Sequence, residues 1–144
     1  MKKITTAKKN PLKIFDIYRK RVNARLEDYL TSICSEGHYQ SELKNIISYS
    51  VLAGGKRFRP ILIYTTASLY DFDLSKIDTC ACAIELIHVY SLIHDDLPAM
   101  DNDDMRHNQP SSHKTFGEAQ AILAGDALQT LAFEVLTRND SIEP

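Results

Sequence analysis

The sequence predicts an all-α protein. Apolar residues recur at threes and fours along nearly the whole chain, glycine and proline punctuation is sparse, and no segment alternates convincingly between apolar and polar residues. In the first segment Phe15, Tyr18, Val22, Leu26, Tyr29, Leu30 and Ile33 share one helical stripe that ends near Gly37. A second helix, from about Gln40 to Ala53, turns Leu43, Ile46, Ile47, Ser50 and Val51 inward and stops at Gly54-Gly55. Pro60 suits the first turn of a third helix, Pro60 to Tyr70, because its missing N–H would be an orphan there anyway. Residues 61–66 would read as a strand in isolation but fit a buried helix here. A fourth helix starts near Ser75, a residue type suited to the N-cap, with Ile77, Ala81, Ile84, Ile87 and His88 inward. A polar loop, Ala99 to Ser112, leads to a last helix from about Gly117 to Thr137. Its inward residues are expected to be Ala119, Ile122, Leu123, Ala127, Leu128, Leu131 and Val135.

At 144 residues the chain can bury one sizeable core, and it reads as a single domain with residues 1–10 as a flexible basic tail. Hydrophobic residues at 44% and charged residues at 25% place it among globular rather than disordered chains. The net charge of −2 hides an asymmetry, because residues 1–25 carry nine Lys or Arg against the single acid Asp16. No aromatic interleaving or nucleic-acid motif accompanies those cations, so a solvated tail and helix face is expected, with no nucleic-acid partner. No secretory signal follows Met1-Lys2-Lys3, and no run approaches the ~18 apolar residues that span a bilayer, so no stable membrane anchor is expected. Cys34, Cys80 and Cys82 form no C-x-x-C pair; reduced thiols in a cytoplasm fit best.

The most telling stretch is His94-Asp95-Asp96-Leu97-Pro98-Ala99-Met100-Asp101, followed by Asp103 and Asp104. A helix C-terminus carries partial negative charge, so acids gathered there call for a cation. Mg²⁺ bridging to a phosphate is the best candidate. An EF-hand is excluded, since Met105 stands where a third ligand belongs and Arg106 where glycine is obligatory. A di-metal phosphohydrolase would need more well-placed ligands than His38, His88, His107 and His113 offer.

A second cluster has the opposite sign. In Gly54-Gly55-Lys56-Arg57-Phe58-Arg59-Pro60 two glycines free the backbone, and three cations precede a helix N-terminus. Cations beside unsatisfied N–H groups make an anion site, particularly for phosphate. It is not a Walker loop, because Arg57 occupies the Ser/Thr position and the spacing is absent. His88 lies two helical turns before Asp95, on the same face. Tyr90 and Ser91, about one turn deeper than Asp95, would wall or floor any pocket that the acids cap.

Taken together, Gly54 to Pro60, His88 to Asp104, Phe116-Gly117-Glu118 and Ala124 to Gln129 resemble the trans-isoprenyl diphosphate synthases, and most nearly the bacterial farnesyl diphosphate synthases. The resemblance covers the chain from about residue 10 to about residue 138. It implies an all-α helical bundle around a deep pocket, usually in a homodimer, and Mg²⁺-dependent condensation of isopentenyl diphosphate with an allylic diphosphate. It also implies roles: Asp95 and Asp101 as Mg²⁺ ligands, with Asp96 supporting them by hydrogen bonding. Lys56, Arg59 and His88 would hold isopentenyl diphosphate, Arg106 the allylic diphosphate, and Tyr90, with Ser91 beside it, would limit product length near C15.

Two departures from the family pattern stand out. His107 replaces a second arginine of the isopentenyl diphosphate site, and histidine cannot make a guanidinium's bidentate clamp. Family members also run well past the length of this chain and carry a second Asp-rich motif there. Losing transition-state contacts is costly in rate, so the 144-residue chain alone is expected to be inactive or nearly so, and to associate through uncovered apolar faces. A non-catalytic subunit of a complete synthase is the alternative; retention of the charged residues weighs against it.

Overall fold

The computed structural model describes residues 11–35 and 41–137. The expected basic tail, the helix end near Gly37 and the start at Gln40 lie outside the described residues. Six α-helices run through the described chain: α1 (Pro11–Ser35), α2 (Ser41–Val51), α3 (Phe58–Leu69), α4 (Asp78–Asp95), α5 (Ser112–Phe116) and α6 (Glu118–Thr137). The helical stripe of α1 buries Tyr18, Val22, Leu26 and Leu30, whereas Phe15 at its open end is 40% exposed.

Helices α4 and α6 pack along one another at the centre, flanked by α3, α2 and α5. Both helices bury many small residues: Ala81, Cys82 and Ala83 on α4, Ala121, Ala124, Gly125 and Ala132 on α6. Leu86, Leu128, Leu131 and Val135 complete that core. The expected inward faces were therefore partly wrong. Ile84, Ile122 and Leu123 are 37%, 43% and 55% exposed, and Ala119 is exposed as well. Both helices are apolar nearly all round, so spacing alone does not distinguish the buried stripe.

A buried carboxylate ties three helices together. Asp78, in the first turn of α4 where the helix dipole favours an acid, accepts from Arg21 Nε at 2.6 Å, Arg21 Nη2 at 2.8 Å, Arg25 Nε at 3.0 Å and Tyr64 Oη at 2.8 Å. Burial alone would raise the Asp78 pKa, but the bonds from Arg21 and Tyr64 outweigh it and hold the carboxyl below the usual range. Ser75 is not the N-cap of α4. It sits in a single 3₁₀ turn, Leu74–Lys76, whose cap is the Asp73 side chain accepting from the Ser75 amide at 2.9 Å. The stretch Leu74–Asp95 is long and apolar enough by length and composition to cross a membrane, contrary to the sequence reading. Inside this fold it is a core helix whose Asp78 and Glu85 are buried and ion-paired.

The predicted polar loop holds more structure than expected. Strands β1 (Met105–Arg106) and β2 (Gln109–Pro110) pair antiparallel, with Arg106 opposite Gln109. His107 and Asn108 form the two-residue connection, at φ 51° and 66°. Two successive left-handed residues are the signature of a type I′ hairpin, and Asn and His tolerate that region better than most side chains. Helix α5 follows at once, separated from α6 by Gly117 at φ 91°.

Candidate functional site: an acidic loop beside a basic cleft

Past the end of α4 the chain folds back on itself. The amide of Asp101 donates to the carbonyl of Asp95 at 2.8 Å, and the amides of Met100 and Asn102 donate to the carbonyl of Leu97 at 2.9 and 3.1 Å. The six-residue separation of Asp95 and Asp101 thereby becomes backbone contact. The five acids then divide. Asp96 and Asp103 are both ion-paired to Arg106, and Asp104 to Lys114 at 2.8 Å. Asp95 and Asp101 form no ion pair among the described residues. Asp96 is 2% exposed, whereas Asp101 is open to solvent.

Arg106 is gripped side-on. Its Nε donates to both oxygens of Asp96 at 3.1 and 3.2 Å, its Nη2 bonds Asp96 Oδ1, and the same Nη2 reaches Asp103 Oδ2 at 3.0 Å. The Asp96 bond, ahead of burial, raises the Arg106 pKa. Asp96 thus serves Arg106, and no hydrogen bond runs from it to the Asp95 or Asp101 side chains among the described residues.

The basic cluster opens a cleft of about 490 Å³ that gathers Lys56, Arg59, His88, His107 and Asn108. Lys56 and Arg59 form no ion pair among the described residues. Burial first, then the nearby Arg59, lowers the His88 pKa. The ring of His107 lies over Gly55, with Cε1 at 3.2 Å from where a Cβ would stand. Gly55, at φ 111°, is therefore required twice over.

Arg57 does not belong to this cleft's free charge. It adopts φ 53° and turns inward, leaving 4% of its surface exposed. There it bonds Glu85 Oε1 at 2.8 Å, Asn23 Oδ1 at 2.8 Å and the Val51 carbonyl at 2.6 Å. The three expected anion-binding cations are thus two plus a buried structural arginine. The signal was present in the sequence: Glu85 interrupts an otherwise apolar stretch of α4 and needs a partner.

Tyr90 meets His94 edge-on, with ring centroids 5.2 Å apart, and His94 Nε2 lies 3.1 Å from the Ile122 carbonyl on α6. Ser91 donates to the His88 carbonyl at 2.8 Å, so its hydroxyl is spent on its own helix. Sequence reasoning missed Asn108, since neither the hairpin nor its turn was foreseen, and missed how Gly125 makes room for His94.

Fold and site together define a helical-bundle protein carrying an acidic loop beside a basic cleft, joined at a short hairpin by the consecutive residues Arg106 and His107. The polyprenyl synthetase family profile matches residues 40–143. Over 100 residues the chain is 55% identical to a farnesyl diphosphate synthase of Geobacillus stearothermophilus, covering 69% of this chain and 34% of that one. Over 97 residues it is 56% identical to the farnesyl diphosphate synthase of Escherichia coli, covering 67% and 32%. The crystal structure of a geranyltransferase from Legionella pneumophila superposes with a TM-score of 0.80 at 45% identity, covering 88% of this chain and 43% of that one. A geranyltranstransferase from Thermotoga maritima gives 0.78 at 37% identity, covering 86% and 45%. The chain belongs to the polyprenyl synthetase family. It spans about a third of the length of the first two relatives.

Among the described residues no three His, Cys, Asp or Glu side chains come together as a self-sufficient metal cage. Mg²⁺ is ordinarily held by one or two carboxylates, with phosphate oxygens and water completing the octahedron. Asp95 and Asp101 offer that number.

Proposed function

We propose that this chain contributes one side of the active site of a Mg²⁺-dependent prenyltransferase. The reaction condenses isopentenyl diphosphate with dimethylallyl or geranyl diphosphate to give farnesyl diphosphate. The observation that carries this reading is the division of the acids: three are ion-paired to arginine or lysine, while Asp95 and Asp101, joined through their backbones, form no ion pair among the described residues. Those two would hold Mg²⁺, which when bound supplies Lewis-acid assistance to departure of the allylic diphosphate. Arg106 would contact that diphosphate. Lys56, Arg59 and His88, with His107 at the turn, would seat the diphosphate of isopentenyl diphosphate in the cleft. Preorganised charges of this kind stabilise developing charge without reorganising during the reaction. Tyr90, five residues before Asp95 on α4, would floor the pocket near C15, with Ser91 as its neighbour. The free thiols of Cys80 and Cys82 accord with a cytoplasmic setting.

Copies of the chain are proposed to associate through the exposed apolar face of α4 and α6. There Ile84, Ile87, Phe133 and Leu136 line a groove of about 250 Å³. Patches of this kind on soluble proteins mark association surfaces.

The deciding experiment is calorimetric titration of the chain with a non-hydrolysable allylic diphosphate analogue, with Mg²⁺ and then with EDTA. Binding should require Mg²⁺ and vanish in Asp95→Asn and Asp101→Asn. Equal binding without metal would overturn the reading.

A further inference from the structure

Resting on that diphosphate reading, the geometry points to Asp96 as a positioning residue. It fixes the guanidinium of Arg106 in the orientation from which that group meets an anionic ligand, and it binds no metal itself.

Three observations carry this. First, both oxygens of Asp96 accept from Arg106 Nε, at 3.1 and 3.2 Å, and Oδ1 also accepts from Nη2. Few lone pairs remain for an ion. Second, solvent reaches the two partners unequally: the Asp96 side chain is 3% exposed and that of Arg106 32%. Mg²⁺ retains several waters, which a carboxylate sealed behind a guanidinium cannot accommodate. Third, the Asp96 amide donates to the Leu92 carbonyl at 3.0 Å, so the anchor itself is tied to α4. On the arginine, Nε and Nη2 are engaged, while Nη1 has no hydrogen bond among the described residues. That nitrogen is the edge left to a ligand. A free arginine would have to be ordered on binding; one already clamped avoids that cost.

The arrangement also explains why a carboxylate is tolerated at this helix end. Alone, Asp96 would oppose the helix dipole; paired with Arg106 it converts a flexible cation into a directed one.

The test compares Asp95→Asn, Asp96→Asn, Asp103→Asn and Arg106→Lys in the 144-residue chain. Three readouts are used: Mn²⁺ affinity by electron paramagnetic resonance, Mg²⁺-dependent binding of inorganic pyrophosphate by calorimetry, and exchange of the Arg106 Nε–H by NMR. Asp96→Asn should leave Mn²⁺ affinity within about twofold, speed Nε–H exchange and weaken pyrophosphate binding about tenfold, the scale of a lost charge-assisted bidentate pair. Asp95→Asn should lose Mn²⁺ affinity with exchange unchanged. Asp103→Asn should leave exchange slow, because its bond is solvent-exposed. Arg106→Lys cannot form the side-on pair and should match Asp96→Asn on pyrophosphate; it serves alone on that readout if Asp96→Asn fails to fold. A fall in Mn²⁺ affinity in Asp96→Asn as large as in Asp95→Asn would overturn the proposal, as would unaltered exchange. Absence of any Mg²⁺-dependent pyrophosphate binding in the unsubstituted chain would overturn the diphosphate reading. Exchange would still show whether Asp96 holds Arg106.

Discussion

The imidazole of His94 fills the space that a side chain on Gly125 would need: Cδ2 lies 2.5 Å and Cε1 3.0 Å from where a Cβ would stand. The ring is held there by the Ile122 carbonyl and by the edge of Tyr90. The last turn of α4 before Asp95 is thereby pinned to α6.

Gly125→Ala should consequently displace His94 and destabilise the chain, although alanine favours helix. Overpacking costs about 1–3 kcal/mol, against which the helix-propensity gain of about 1 kcal/mol is set, leaving a net loss of up to about 2 kcal/mol. Urea denaturation measures it. His94→Ala should recover most of the loss in the double variant, giving a non-additive cycle; additive losses would show that the two residues do not compete for one space.

Removing Arg57 leaves Glu85 charged and buried. Arg57→Met should destabilise by about 3–5 kcal/mol, the range for breaking a buried pair from one side. The double variant Arg57→Met/Glu85→Leu should be markedly more stable than the single one. Denaturation midpoints decide it: a double variant no better than the single would mean that the Asn23 and Val51 bonds carry the arginine's contribution.

The pH dependence has a definite sign at His88. Burial first, and Arg59 next, favour its neutral form, so the folded pKa lies below the ordinary histidine value of about 6.5. Between those two values the unfolded chain binds more protons than the folded one, and stability rises with pH. This contribution is fully present above about pH 6.5 and is lost as pH falls through the depressed value. Thermal midpoints from pH 8 to pH 5 should therefore fall less steeply in His88→Gln than in the parent. Parallel profiles would remove His88 as the cause.

Association should follow the exposed apolar groove. Phe133 is 62% exposed and Ile84 37%. Sedimentation velocity of the chain should show concentration-dependent oligomers, and Phe133→Glu/Ile84→Glu should shift them toward monomer with helical circular dichroism retained. A parent chain that sediments as monomer at all concentrations would refute this surface.

Helix positions were legible because a 3.6-residue period survives wherever one side of a helix is polar, as in α1 and α2. It failed on α6, where Ile122 and Leu123 compete with Ala121 and Ala124 for the inward face and only the packed partner decides. The hairpin went unseen because its two left-handed residues are His107 and Asn108, without the glycine that usually announces such a turn. At the site, charge type was legible and charge allocation was not. A run of cations or acids shows how many groups there are, but a backbone turn at Arg57 or a clamp at Asp96 decides which of them face solvent.

Arg106 and His107 are neighbours in sequence, yet one belongs to the acidic loop and the other to the basic cleft. Consecutive Cα atoms are held about 3.8 Å apart by the trans peptide, so these two anchor points are spaced by covalent geometry rather than by packing. The hairpin is in effect a gauge block. Loosening the core could blur either site, but it could not alter the interval between these two backbone positions.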